Sequence, residues 1–250
     1  MPTIREVLAR RSDLSTFIVH LTRANAQSAR QNLESILRDY RIRAATSLGS
    51  ATKSLQEREL IDCLDCQKVV CFTETPLEHI SLLLVPITDL VRTCVFKPYG
   101  IAFTKRVARE KAINPVWYVD ITPGHDWLMV PINALIDQAA DDVVTRRASG
   151  DAAAHFKTYP VAKVAPFIEQ MGVGPGYRKE FWWEREWRHR GDFLLPPWFV
   201  VIAPEPEHEH FSALMKQEWG RGMPLVDAKW GLEEIIGRLA GFSPEQIHLL

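Results

Sequence analysis

The stretch Tyr177–Arg190 holds the densest set of reactive and ionic side chains in the sequence. Glu184, Arg185 and Glu186 form a Glu-x-Glu unit. If this piece is extended, Glu184, Glu186 and Arg188 share a face, and two carboxylates lie within ~7 Å of each other. Such a pair suits a reaction with an oxocarbenium-like transition state, because it can steady the cation and remove a proton. The competing reading is a helical turn with exposed charges, since Trp183 and Trp187 are one helical turn apart. The same stretch interleaves Arg178, Lys179, Arg185, Arg188 and Arg190 with Phe181, Trp182, Trp183 and Trp187. Cations among aromatics fit single-stranded nucleic acid, whose phosphates need charge and whose bases stack. A core segment whose charged ends reach water would look the same.

Other chemistry is scattered. In the run Thr16–Leu21, strand alternation puts Thr16, Ile18, His20 and Thr22 on one face and Phe17, Val19 and Leu21 on the other. An imidazole and a hydroxyl side by side at a strand end can hydrogen-bond a polar ligand, or serve as a satisfied rim pair. Phe72–Pro76 leaves a strand for a helix, where Thr73 or Thr75 could cap. The polar loop Ser47–Ser54 could wrap a ligand or lie on the surface. Glycines 172, 174 and 176 lack a preceding strand and enclose Pro175, so they are not a dinucleotide fingerprint. His208 and His210 stand among Glu207 and Glu209, where a solvated helix start is the simpler account than a metal. Cys63 and Cys66 have the gap of a zinc knuckle or a redox pair, but no second pair of ligands follows at similar spacing. Ordinary reduced thiols at Cys63, Cys66, Cys71 and Cys94, and no metal, are the expectation.

The elements that must position these groups fit one domain over 1–250. A chain of 250 residues with 46% hydrophobic content can bury a sizeable core. Thirty basic residues against thirty-one acidic ones give no global basic field. The longest apolar run, Ile80–Leu90, contains Pro86 and is too short to span a bilayer. No apolar core follows Arg10 and Arg11, which predicts a cytoplasmic protein without a secretion signal. Strands are predicted at Thr16–Leu21, Lys68–Phe72, Gly100–Phe103, Val116–Val119, Phe193–Leu195 and Phe199–Ile202. Helices are predicted at Ile4–Arg11, Asn25–Tyr40, Pro76–Leu83, Trp127–Arg147, Glu207–Gln217 and Leu232–Leu239. Irregular mixing of short strands and helices predicts an α+β fold around a mostly antiparallel sheet.

The order of the motifs adds a further reading. FIVHLTR, NLESIL, SLGSATKSLQERELID, VVCFTETPLEHI and EREWRHRGDF, in that sequence, resemble the DarT family of nucleic-acid ADP-ribosyltransferases over about residues 15–83 and 176–195. CFTETPL, YGIAFTK and the EWR segment are also similar to AbiGi-type abortive-infection proteins. The resemblance implies an ADP-ribosyltransferase fold with a split sheet flanked by helices, and NAD⁺ as cofactor. It implies a toxin of a toxin–antitoxin or phage-defence system, with an antitoxin protein or reversing hydrolase as partner.

Carried over residue by residue, His20 and Thr22 would hold the cofactor, with Asn32 at the start of NLESIL close by. Ser47 and Ser50 would belong to a loop that orders over NAD⁺, and Tyr99 or Phe103 would stack on nicotinamide. Glu186 would be the catalytic glutamate on the nicotinamide ribose, and Glu184 would activate the acceptor. Arg178, Lys179, Arg185, Arg188 and Trp182 or Trp183 would line a nucleic-acid groove. Thymidine-modifying members carry an arginine where this chain has Thr73-Glu74-Thr75-Pro76, which points to another acceptor, RNA ahead of single-stranded DNA. Transfer to protein, NAD⁺ hydrolysis, or a non-catalytic antitoxin-like relative are the alternatives. The transferase reading requires His20, Thr22 and Glu186 in one pocket. His20 and Glu186 on opposite sides of the sheet would end it.

Overall fold

The computed structural model describes residues 13–85 and 95–242. The expected helix at Ile4–Arg11 and the thiol of Cys94 lie outside them. The strands are β1 (Phe17–Leu21), β2 (Arg41–Ile42), β3 (Thr46–Ser47), β4 (Lys68–Thr73), β5 (Gly100–Thr104), β6 (Asn114–Pro115) and β7 (Trp117–Asp120). They continue as β8 (Ile168–Gly174), β9 (Tyr177–Lys179), β10 (Glu186–Arg190), β11 (Phe193–Leu194), β12 (Val200–Ile202) and β13 (Leu225–Val226). The α-helices are α1 (Ala29–Asp39), α2 (Thr52–Glu57), α3 (Ile80–Leu83), α4 (Lys105–Glu110), α5 (Met129–Ala148), α6 (Pro160–Val164), α7 (His208–Trp219) and α8 (Leu232–Leu239). None is long and apolar enough to cross a membrane.

Local chemistry sets the boundaries. The helix expected from Asn25 starts at Ala29, because Ser28 closes a reciprocal capping box with Gln31. The expected Gly172–Gly176 turn is displaced. Residues through Gly174 extend β8, and the chain reverses at Pro175–Gly176, where Gly176 takes a φ of 78°. The polar stretch 46–56 is more ordered than its composition suggests, with β3 and α2 inside it.

The main sheet runs β13-β12-β5-β1-β4-β10-β6, and β3 also pairs with β4. All its pairs are antiparallel except β12 with β13, so the fold is α+β around a mostly antiparallel sheet. A separate sheet, β7-β8-β9, joins β7 to β8 in parallel and β8 to β9 antiparallel.

Five residue pairs join β1 to β5, but one pair, Val19 with Thr73, joins β1 to β4. The sheet therefore has a seam beside β1. On β1's other side the approach is close: a Cβ on Gly100 would sit 2.3 Å from the His20 carbonyl oxygen. One face of the sheet presents Ile18, Val70, Phe72, Ile101, Phe103 and Val201 to Leu33 and Leu37 of α1 and to Phe211 and Met215 of α7. The other presents Val19, Leu21, Ala102, Val200 and Ile202 to Leu77, Ile80, Leu83 and Ile235. Each such side chain contributes about 1.5–3 kcal/mol through burial. A third cluster packs α5, through Ile136, Ala140 and Val143, onto Leu55, Cys63 and Phe156.

Candidate functional site

Register decides which residues can meet. Thr73 is paired with Val19 on one side and with Glu186 on the other, so Val19, Thr73 and Glu186 form one row with side chains on one face. Cys71 and Arg188 are paired two positions along and share that face. His20 follows Val19 and therefore projects to the opposite face. Its ring packs edge-on against Phe72, 5.8 Å between centroids, and Nδ1 donates to the Cys71 carbonyl across the seam at 2.8 Å. Burial lowers the His20 pKa, so the neutral ring is favoured. The expected pocket lined by His20, Thr22 and Glu186 is not formed. The reason is strand alternation: two side chains one step out of phase cannot share a face.

The residues expected around the cofactor fall instead into two groups. The first surrounds the start of α1. Thr22 is buried, and its hydroxyl donates to the carbonyls of Ala29 at 2.8 Å and Tyr99 at 3.1 Å. Asn32 Nδ2 donates to the Arg23 carbonyl at 2.7 Å. The Tyr99 hydroxyl donates to Glu207 at 2.6 Å, and burial followed by that carboxylate raises its pKa to about 12. Phe103 is a core residue stacked on Phe193, 5.2 Å between centroids, and cannot receive a nicotinamide. These hydrogen bonds tie β1 to α1 and to the segment before β5.

The second group centres on Arg188. This side chain is 2% exposed and binds both Glu186 oxygens, Nε to Oε1 at 2.9 Å and a terminal nitrogen to Oε2 at 3.0 Å. It also donates to Glu169 of β8 at 2.5 Å, to the Pro166 carbonyl at 2.9 Å, and to the Leu48 carbonyl at 3.3 Å. Burial opposes its charge, but the Glu186 and Glu169 carboxylates outweigh that and hold the guanidinium charged. Glu186 itself is 16% exposed, and its backbone N–H donates to the Tyr118 hydroxyl at 2.7 Å. Burial and then the nearby carboxylates push that phenol well above its ordinary range. Cys71 is likewise pushed up, by burial first and then by Glu186.

Arg188 thus joins Glu186 to the loop Ser47–Ser54, two pieces far apart in sequence. Ser47 and Ser50 face away from any open site through their hydroxyls, which donate to the carbonyls of Leu64 at 3.0 Å and Ala165 at 3.2 Å. The second carboxylate of the cluster is Glu169, which the sequence reading missed because its own strand, β8, was not predicted. Glu184 lies outside β10, although its carboxylate, like that of Glu186, acts on the Tyr118 phenol. It ends a 3-10 turn, Trp182–Glu184, and Arg185 follows in the left-handed region at φ 47°, which breaks the alternation.

The expected nucleic-acid groove is also redrawn. Arg188 is buried and cannot touch a phosphate. Lys179 pairs with Glu169 at 2.7 Å, Arg178 with Glu180 at 2.5 Å and Arg185 with Asp13 at 3.2 Å. Trp183 is partly buried against the core, and its Nε1 donates to the Glu180 carbonyl at 2.9 Å. Trp182 is 56% exposed, the most exposed of Phe181, Trp182, Trp183 and Trp187. His208 and His210 turn apart, to the Ala203 carbonyl at 2.9 Å and to Glu34 at 2.9 Å. The chain matches no known protein family, curated protein or solved structure.

Proposed function

We propose a narrower form of the expected activity: NAD⁺-dependent ADP-ribosyl transfer centred on Glu186, with nucleic acid, RNA ahead of single-stranded DNA, as acceptor. The opposite-face placement of His20 and Glu186 ends the reading that rested on a shared His20–Thr22–Glu186 pocket. Only the carboxylate centre is kept, and His20 and Thr22 have no part in it. One observation carries the reading. Arg188 bridges Glu186 of the main sheet to Glu169 of the β7-β8-β9 sheet and ties both to the Ser47–Ser54 loop, so a partly exposed carboxylate is oriented before any ligand arrives. Preorganised negative charge beside a ribose that becomes cationic as nicotinamide leaves is commonly the largest catalytic contribution. Glu169, on the same guanidinium, takes the place expected for Glu184 as the group that receives the acceptor's proton. Residues fitting NAD⁺ beyond this carboxylate pair are not assigned.

A second reading is favoured by the opposite-face placement of His20 and Glu186. It is a non-catalytic, antitoxin-like relative in which the Glu186–Arg188–Glu169 cluster is a structural brace. The test is incubation with labelled NAD⁺ and, in separate tubes, RNA, single-stranded DNA and cell protein. Label on a nucleic acid supports the transferase, label on a protein band redirects the acceptor, and no label with no nicotinamide release leaves the brace.

A further inference from the structure

Cys63 and Cys66 stand three residues apart in the 3-10 turn Ile61–Gln67. In such a turn side chains at i and i+3 eclipse, with Cα atoms roughly 6 Å apart, inside the range a disulfide spans. The Cys66 thiol already leans back along the turn, donating to the Cys63 carbonyl at 3.0 Å, and Gln67 Nε2 donates to it at 3.3 Å. Cys66 is half-buried and open to small solutes, while Cys63 is fully buried behind it.

Two polar groups flank the Cys63 sulfur. Its Sγ lies 3.6 Å from His155 Nδ1 and 3.8 Å from the Arg147 guanidinium. The Lys157 backbone N–H donates to the same Nδ1 at 3.0 Å, so that nitrogen carries no proton and its lone pair is already engaged. A thiolate at Cys63 would have the guanidinium beside it, the environment that makes cysteines reactive. Asp62, Cys63 and His155 each bring a metal-ligating atom within 4.8 Å of the others. Arg147 nevertheless covers both Asp62 oxygens, at 3.0 and 2.7 Å, and Nδ1 is engaged by Lys157, so the cluster is satisfied without an ion.

We propose that Cys63 and Cys66 are a redox-active dithiol that closes to a disulfide within the turn, with a low-molecular-weight disulfide such as oxidised glutathione as the oxidant. The Cys66 thiolate attacks one sulfur of the oxidant, and the other half leaves as a thiolate that takes the proton Cys66 gave to solvent. Cys63 then attacks Cys66 Sγ as its own proton is released. The bond between Cys66 and the remaining half of the oxidant breaks, and that half leaves as a thiolate that takes up the proton Cys63 released. Two protein thiols are oxidised and one disulfide is reduced to two thiols. The turn also carries the Ser47–Ser54 loop: Ser47 Oγ donates to the Leu64 carbonyl at 3.0 Å, and the N–H groups of Leu48 and Gly49 to the Gln67 carbonyl at 3.2 and 3.3 Å. Oxidation therefore loosens that loop, whether or not the protein is a transferase.

The experiment equilibrates the reduced full chain in glutathione buffers of rising oxidised fraction, blocks free thiols by alkylation, and maps peptides by mass. The expected result is loss of two hydrogens in the peptide holding Cys63 and Cys66, reversed by dithiothreitol. Cys63→Ser should stop with one glutathione on Cys66, and amide exchange at residues 47–50 should quicken in the oxidised wild type. Full alkylation of both thiols in the folded protein, with the disulfide forming only in the urea-unfolded chain, would overturn the proposal. So would one zinc ion per native chain, released only when these thiols are blocked.

Discussion

Arg188 holds Glu186 by two separate nitrogens and Glu169 by one of the same pair, so two carboxylates depend on one buried guanidinium. Glu186→Gln should therefore do more than remove a catalytic charge. A hydrogen bond to a charged group contributes about 1.5–3 kcal/mol, and most of that should be lost. Urea unfolding should show a lower midpoint with an unchanged slope. Under the proposed function, transfer should fall by about 10²–10³ at temperatures where the variant stays folded. Unchanged transfer would move the catalytic role elsewhere, with Glu169 the first candidate.

Arg188→Met should be the more damaging change, because it leaves two carboxylates with no buried cation between them. Removing one partner of a buried pair costs about 3–5 kcal/mol. Adding Glu186→Gln to Arg188→Met should recover part of that loss. A double variant as unstable as the sum of the singles would mean that the two side chains do not interact energetically.

His20 ties stability to pH. Burial lowers its pKa below the ordinary 6.5, so as pH falls the unfolded chain takes up the proton first. Its contribution is complete above about pH 6.5 and is lost as pH drops towards the lowered folded value. His208 and His155 act in the same direction and window, also through burial. Thermal midpoints measured from about pH 7.5 to 5 should fall, and His20→Gln, which keeps a donor for the Cys71 carbonyl, should flatten part of the slope. An unaltered slope would show that His20 titrates normally.

Two neighbouring tryptophans should behave oppositely. Trp183→Ala removes packing against the core and a hydrogen bond and should destabilise by about 1–3 kcal/mol. Trp182→Ala should leave the midpoint within ~0.5 kcal/mol, being a surface change. If this stretch binds RNA, Trp182→Ala should weaken binding by about 1–3 kcal/mol through lost stacking, largely independent of salt. Unchanged RNA affinity would place the nucleic-acid contact elsewhere.

The sequence was most legible where one side chain type decides the outcome. The β-branched run at Phe17–Leu21 and the apolar spacing of Leu33 and Leu37 are realised as β1 and α1. The expectation that Arg188 shares a face with Glu186 holds, because both lie within β10. What failed depended on pairing. His20 and Glu186 are each half-buried and polar, and only the Val19–Thr73–Glu186 row shows that they face apart. Glu184 was placed by ideal alternation, which the left-handed Arg185 interrupts. Glu169 was invisible because Gly172 and Gly174 disguise the end of β8 as a loop. The basic residues of 178–185 read as a groove, since a sequence cannot show that Lys179 and Arg185 meet carboxylates distant in the chain.

The seam beside β1 also has a meaning for how the chain emerges during synthesis. β4 has one bridged pair with β1, and its long ladder is with β10, more than a hundred residues later. Until residue 190 has been made, one edge of β4 is an open row of peptide groups that any other strand could occupy. Unpaired edges of this kind invite misassembly, and long-range pairing delays their closure. Between the synthesis of β4 and that of β10 the nascent protein is therefore a natural client for chaperones, and a stall in that interval would release a sticky half-sheet rather than a folded fragment.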